Sequence, residues 1–180
     1  MDVAVPPQQQ QQQHHQSSPM EFSNLGAYPI MWHGHLGLKS DMATVQFHYL
    51  SGSQNLARVS LPDITSVLKI GQRMRLEDNQ LEGVKRKMAQ EQEHCVLLAL
   101  PCNPDFETQS RQLRSSFITY LQLKGAAGIV NVEGSDGAQY VIHIFPNCDF
   151  ANGTMTSIAP DLLGRVAEIE HMVIVIATVT

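Results

Sequence analysis

The amino-acid sequence predicts an α+β fold: a distorted seven-stranded β-barrel framed by α-helices. Two hairpin patterns are separated by helix-like segments, an order that favours an α+β architecture over alternating βαβ units. Several strand-like segments contain glycine, which permits the bends that a barrel needs. The chain has 180 residues, enough for one domain of ordinary size.

Residues 1–27 precede this fold and have the composition of a linker. They contain an unbroken glutamine run from Gln8 to Gln13 and few apolar side chains. So little apolar surface cannot compensate for the entropy lost when a backbone becomes ordered. We therefore predict a disordered, glutamine-rich linker over 1–27 and a single domain over 28–180.

A β-hairpin is predicted directly after the linker. Apolar residues alternate with polar ones over 28–39 and again over 43–50, which is the period of a half-buried strand. The polar pair Ser40-Asp41 between them fits a turn. We assign a third short strand to 54–61, and a strand or an irregular apolar segment to 67–74.

The rest of the chain alternates between helical and strand-like periods. Apolar residues recur every three or four positions in three segments, which predicts helices over 77–88, 106–123 and 158–169. Short apolar or β-branched runs between turn residues predict the remaining strands, at 94–100, 127–132, 139–145 and 172–179. The first of these strands is expected to be buried at the centre of the sheet.

Composition excludes several functional classes. The formal net charge is -5, which argues against coating nucleic acid through bulk positive charge. We find no membrane-spanning run and no signal-peptide pattern, and three cysteines without zinc-type spacing fit a reducing compartment. The chain also lacks the phosphate loop, nucleophile elbow and dinucleotide fingerprint of common enzymes. We therefore expect a soluble intracellular domain with no catalytic residue and no cofactor.

His33 and His35 are the nearest approach to a metal site in the sequence. On a strand, a His-x-His pair places both imidazoles on one face, and His48 on the paired strand would be a third ligand. The alternative is two surface histidines on the polar face of that strand. We favour the surface interpretation and predict no metal.

The basic residues are concentrated in the middle of the chain. Nine of the 12 lysines and arginines lie within 69–124, and the part that follows is acidic. Arg73 and Arg75 would point the same way in an extended strand, and like charges held side by side favour an anion between them. Two interpretations stay open: an anion-binding patch, or a solvated face with Glu77 or Asp78 as partners.

Several motifs, in one order along the chain, make the domain recognisable. They are Tyr-Pro-Ile-Met-Trp-His-Gly (28–34), Gln-Arg-Met-Arg-Leu-Glu (72–77), Leu-Leu-Ala-Leu-Pro-Cys (97–102), Phe-Ile-Thr-Tyr-Leu-Gln (117–122) and Ile-Ala-Pro-Asp-Leu-Leu (158–163). The chain thus resembles the SPOC domain at the C-terminus of the split ends (Spen/SHARP) family of transcriptional repressors. The resemblance covers residues 28–180 and implies a seven-stranded barrel framed by helices.

The resemblance also implies a function. SPOC domains of this family are non-enzymatic adaptors in the nucleus, and those of the Spen group recruit SMRT/NCoR-type corepressors in transcriptional repression, including Notch and Wnt signalling. They bind an acidic, phosphoserine-containing motif. The positions that match the family's peptide- and phosphate-binding residues are Lys39, Lys69, Arg73, Arg75, Tyr120 and Lys124. The alternative partner is the phosphorylated tail of RNA polymerase II, and RNA binding is expected only in domains outside this chain.

Two of these positions carry alternatives of their own. Lys69 stands where the family often has arginine, so the charge is kept but the planar bidentate fork is lost. Tyr120 is one helical turn from Lys124 and would share its face, but it also fits a core position on the helix. Two other classes remain as alternatives: a hydrolase or metal enzyme, and nucleic-acid binding by the same patch, which predicts a steep dependence on salt.

Overall fold

The computed structural model describes residues 25–63, 66–102 and 105–179. Most of the predicted linker therefore lies outside the described residues. Leu25 falls within the predicted linker, yet it is only 2% exposed, and its carbonyl accepts a hydrogen bond from the Tyr28 N–H. The packed part of the chain thus includes Leu25.

Eight strands form one curled sheet, one strand more than predicted. They are β1 Ile30–Leu38, β2 Asp41–Gly52, β3 Val67–Lys69, β4 Gln72–Arg75, β5 His94–Pro101, β6 Ala126–Glu133, β7 Gln139–Phe145 and β8 Met172–Thr178. Their order across the sheet is β3-β1-β2-β5-β8-β7-β6-β4. Neighbouring strands are antiparallel except β1 and β3. Both predicted hairpins, β1–β2 and β6–β7, are confirmed.

The sheet curls because its two edge strands are consecutive in the chain. Only Ile70 and Gly71 separate β3 from β4. The Ile70 N–H donates to the Gly37 carbonyl on β1 at 2.8 Å, and the Gly71 N–H donates to the Ile129 carbonyl on β6 at 3.2 Å. Two adjacent residues therefore hold both edges of the sheet together, and the predicted α+β barrel-like architecture is confirmed. The segment 67–74, predicted as one element, is divided between the two edges.

Six α-helices accompany the sheet in the described part of the chain. They are α1 Gln54–Ser60, α2 Asp78–Met88, α3 Phe106–Gln112, α4 Thr119–Lys124, α5 Asp149–Ile158 and α6 Pro160–Val166. A π-helical stretch, Leu113–Ile118, joins α3 to α4, so the predicted long helix is continuous. None of these helices is long and apolar enough to cross a membrane.

The predicted strand over 54–61 was wrong, because this segment is α1. The Ser53 hydroxyl oxygen accepts a hydrogen bond from the Leu56 N–H at 3.3 Å, so serine caps the first turn. Leu56, Ala57 and Ser60 are buried on one side, at helical rather than strand spacing. Helix α5 was not predicted, since glycine, threonine and serine dilute its apolar pattern.

Two apolar clusters form the core, one on each face of the sheet. The first fills the inside of the curl and includes Phe47 and Phe117, and the second lies beneath α2, α5 and α6. Strand β5 contributes alternate residues to both clusters and is buried along its whole length, as predicted for a central strand. Burial raises the pKa of the Cys95 thiol on β5 to about 12, so this cysteine is held in its unreactive form.

Candidate functional site

Tyr120 lies at the centre of a group of basic side chains that come from three elements. Lys39 is in the turn between β1 and β2, Arg73 is on β4, and Lys124 is in the last turn of α4. The Lys39 Nζ lies 5.0 Å from the centroid of the Tyr120 ring, the Arg73 Cζ 5.7 Å and the Lys124 Nζ 5.8 Å. Arg73 Nη1 also donates a hydrogen bond of 2.7 Å to the Tyr120 hydroxyl. We call these four residues the Tyr120 cluster.

The helix fixes one side of this cluster. Phe117 and Leu121 are fully buried in the first core and hold the helix against the sheet. Tyr120 itself is half-buried against the same core, so both interpretations of this residue are partly right: its ring packs inward and its hydroxyl meets the surface. Lys124 follows one turn later on the same face. Gly125, with a φ of 56°, then ends the helix in the left-handed region.

Lys39 enters the cluster from an unfavourable backbone conformation. Its φ is 55°, and it is the sole residue other than glycine with a positive φ among the residues that the structure describes. A side chain in this region crowds the following carbonyl, at a cost of roughly 1–2 kcal/mol. Glycine would be the more stable residue in this turn. Strain of this kind is often found at functional positions, and here it accompanies a lysine that faces Tyr120.

A surface cleft of about 570 Å³ adjoins the Tyr120 cluster. Its lining consists of Leu38, Lys39, Ile70, Gly71, Gln72, Arg73 and Tyr120. The sequence did not predict the residues at the crossing between the two edge strands as part of a site. Glycine and glutamine carry no charge, and only the position of the crossing places Gly71 and Gln72 beside the basic side chains.

Lys69 and Arg75 flank the Tyr120 cluster rather than join it. Lys69 is exposed on β3, next to the cleft residue Ile70. Arg75 shares the exposed side of β4 with Arg73, but its Nη1 lies 3.6 Å from Glu77 Oε1. This ion pair is one that the solvated-face interpretation predicted for Arg75.

The remaining cations of this surface have no carboxylate partner in the described part of the chain. The ion pairs found there are Arg75–Glu77, Lys87–Glu93 and Arg114–Glu170. None of these ion pairs involves Lys39, Lys69, Arg73 or Lys124. Like charges gathered in this way repel one another unless an anion joins them, so the surface is suited to a phosphate or carboxylate ligand.

The candidate histidine ligands are arranged differently from a metal site. His33 and His35 lie on the outer side of β1, whereas His48 is buried. The His48 ring nitrogens are 2.8 Å from Gln46 Nε2 and 2.9 Å from the Tyr28 carbonyl oxygen. Over residues 25–63, 66–102 and 105–179, no group of three His, Cys, Asp or Glu side chains is placed to hold a metal ion.

Comparison with known proteins decides the family. A model of the SPOC domain matches residues 23–179. The chain belongs to the SPOC domain family. It is 56% identical over 164 residues to the Protein split ends of Drosophila melanogaster, a match that covers 86% of this chain and 3% of that protein. It is 50% identical over 163 residues to the Msx2-interacting protein of Homo sapiens, covering 86% of this chain and 4% of that protein.

The comparison with solved structures agrees with this family. The crystal structure of the SPOC domain of human PHD-finger protein 3 superposes with a TM-score of 0.55 at 13% identity, over 84% of this chain and 98% of that one. At that identity the likeness supports the fold alone. The predicted resemblance to the SPOC domain of split ends proteins is confirmed. SPOC domains are protein–protein interaction domains of transcriptional regulators, and this chain spans a small part of such proteins.

Proposed function

We propose that this SPOC domain is a non-enzymatic adaptor that binds an acidic, phosphoserine-containing peptide at the Tyr120 cluster. In this way it recruits SMRT/NCoR-type corepressors in the nucleus. The observation that carries the proposal is the convergence of Lys39, Arg73 and Lys124 on one half-buried tyrosine, without a carboxylate partner in the described residues. Nuclear location and action in Notch and Wnt signalling belong to the same proposal and rest on the family resemblance.

The geometry of the cluster suits a phosphate better than a neutral serine. A phosphoserine carries about -1.5 to -2 charges and three acceptor oxygens, which match several donors at once. Each hydrogen bond to a charged group contributes roughly 1.5–3 kcal/mol, so a few of them reach micromolar affinity without a deep pocket. The Tyr120 hydroxyl holds the Arg73 guanidinium in place before any ligand arrives. That preorganisation lowers the entropy lost on binding.

The two flanking residues extend the proposed surface. Lys69 stands next to the cleft and would meet acidic residues on one side of the phosphoserine. Arg75 would have to exchange Glu77 for the peptide, and both side chains are more than half exposed. An exposed ion pair contributes little free energy, so the loss of the Arg75–Glu77 pair would cost little of the binding free energy. We therefore expect Arg73 to contribute more than Arg75.

Calorimetric titration with a phosphorylated acidic peptide and its unphosphorylated twin tests the proposal. We expect Arg73→Ala to weaken binding of the phosphorylated peptide about tenfold or more, and to affect the unphosphorylated one far less. Arg86→Ala, an exposed arginine on α2, is the matched control and should bind as the wild type does. Equal affinity of wild type and Arg73→Ala would show that the cluster is not the site.

The same titration separates the two candidate partners. A corepressor-tail phosphopeptide is bound first, and a phosphorylated repeat peptide from the tail of RNA polymerase II is added as competitor. We expect the corepressor peptide to be displaced only at a large excess of competitor. Displacement at equal concentration would assign the cluster to the polymerase tail.

A further inference from the structure

A groove lies between α2 and α5, over the second apolar cluster and away from the Tyr120 cluster. Its volume is about 630 Å³. Four large apolar side chains line it: Leu81, Met88, Phe150 and Ile158. Each is half-buried, with one part packed against the second core and the other part open to the groove.

The two helices run side by side in the same direction. The Leu76 N–H, just before α2, donates to the Gly125 carbonyl at 2.9 Å. Gln122 Nε2 donates to the carbonyl of Asn147, just before α5, at 3.0 Å. Both helices therefore begin beside the end of α4. Since residues from the first to the last turn of each helix line the groove, α2 and α5 continue along it together.

This direction gives the groove two differently charged ends. Asp78 and Asp149 lie in the first turns of α2 and α5, at the end where both helices begin. Lys85 lies towards the other end of the groove, about one helical turn before Met88, the last residue of α2. The ion pairs found between described residues involve none of these three charges. The groove therefore offers an acidic end, an apolar middle and a basic end.

We propose that this groove binds an amphipathic α-helix of about three turns, aligned antiparallel to α2 and α5. An apolar stripe at positions i, i+3, i+4 and i+7 would pack on the four apolar side chains. A helix of about 11 residues spans about 16 Å, the length of α2. The proposed partner is a helical segment of another protein. Because the groove lies away from the Tyr120 cluster, its binding is independent of the phosphopeptide.

Charge fixes the direction of the bound helix. Helices favour acidic residues in their first turn and basic residues in their last turn. In the antiparallel arrangement the basic last turn meets Asp78 and Asp149, and the acidic first turn meets Lys85. The negative end of the partner's dipole also meets the positive ends of α2 and α5. In the parallel arrangement each of these pairings would become a repulsion.

Gly153 offers a variant that blocks the groove without disturbing the core. It lines the groove in the middle of α5, and a Cβ added there would meet no atom within 4 Å. Gly153→Gln therefore projects a side chain into the groove and favours the helix as well. Gly83, in the middle of α2, is equally open but is exposed outside the groove. Gly83→Gln is accordingly the matched control.

The experiment uses two stapled helical peptides of about 14 residues, each with leucines along one face. One has glutamates in its first turn and lysines in its last turn, and the other has these charges exchanged. Binding to the whole domain is measured by fluorescence anisotropy. We expect a dissociation constant on the order of 100 μM for the first peptide and at least about fivefold weaker binding of the second.

The variants decide the outcome. Gly153→Gln should weaken the first peptide about tenfold, Gly83→Gln should leave it unchanged, and Asp78→Lys with Asp149→Lys should reverse the preference between the peptides. Absence of saturable binding, or equal binding to Gly153→Gln and wild type, would overturn the proposal. Phosphopeptide affinity, measured on the same variants, should stay at the wild-type value whichever result is obtained.

Discussion

Lys39 shows how one residue trades stability for charge. Its side chain faces the Tyr120 ring from a turn in which its φ is 55°. Glycine would remove the crowding of the Cβ, but it would also remove one of the three cations around the ring. Stability and phosphopeptide binding should therefore respond to a change at Lys39 in opposite directions.

We predict that Lys39→Gly stabilises the domain and weakens phosphopeptide binding. The free energy of unfolding should rise by about 1 kcal/mol, because the strain lost in the native turn exceeds the entropy that glycine adds to the unfolded chain. Affinity should fall about threefold to tenfold with the loss of one charged donor. Urea unfolding and calorimetric titration measure the two effects.

Ser40→Gly is the control for this prediction. Ser40 occupies the same turn without a positive φ, so glycine there relieves no strain and only adds freedom to the unfolded chain. It should lower stability slightly and leave binding unchanged. A loss of stability in Lys39→Gly would show that the lysine conformation carries no strain.

At the scale of elements, the crossing between β3 and β4 positions the site. Ile70 packs into the first core. Lys69 precedes it in the chain, and Gly71, which follows it, lines the cleft. Gly128 on β6 leaves room for it, since a Cβ at that position would lie 2.8 Å from Ile70 Cδ1. Gly128 is paired with Arg73 across the two strands. The position of β4, and with it that of Arg73, thus depends on the close approach of Ile70 to Gly128.

We predict that Gly128→Ala destabilises the domain by about 1–2 kcal/mol, because the added methyl group overpacks the space occupied by Ile70. The displaced crossing should also weaken phosphopeptide binding through Arg73. Gly71→Ala is the stability control, because a Cβ at Gly71 would meet no atom within 4 Å. Thermal unfolding of both variants provides the measurement, and equal midpoints would contradict the role assigned to Gly128.

The elements also show which parts of the fold the sequence can predict. The period of two over 28–50 and the helical period over 106–123 were sufficient to predict these elements, because each segment carries its large apolar residues on one face. The segment 67–74 was not resolved into strands, since its two halves pair with β1 and β6 from distant parts of the chain. Only tertiary contacts divide it.

The same distinction applies to the candidate site. The six site residues followed from the resemblance, whereas local spacing related only Arg73 to Arg75 and Tyr120 to Lys124. The approach of Lys39, Arg73 and Lys124 to one ring is a consequence of the curled sheet and of the helix packed on it. The groove between α2 and α5 was not predicted, because α5 itself was not.

At the scale of the whole molecule, two buried histidines make stability depend on pH. His48 on β2 and His143 on β7 lie within the sheet, and burial lowers the pKa of each below its ordinary value, although a backbone carbonyl partly opposes the effect. An unfolded chain takes up protons on its histidines as the pH falls through about 6.5, and the native domain does not at these two positions. The free energy of unfolding therefore falls with the pH below about 6.5.

We predict that the domain loses stability between about pH 7 and pH 5, and that His143→Gln and His48→Gln each flatten this slope. The quantity to compare is the slope of the free energy of unfolding against pH, because either substitution also alters packing and so changes the stability itself. Carboxyl groups with a lowered pKa, such as Asp136 beside the Tyr140 hydroxyl, are protonated at lower pH and fall outside this window. Strands β5 and β8 separate the two histidines, so their effects should add in the double variant. Urea unfolding at a series of pH values tests this, and a double variant with the wild-type slope would exclude both histidines as its source.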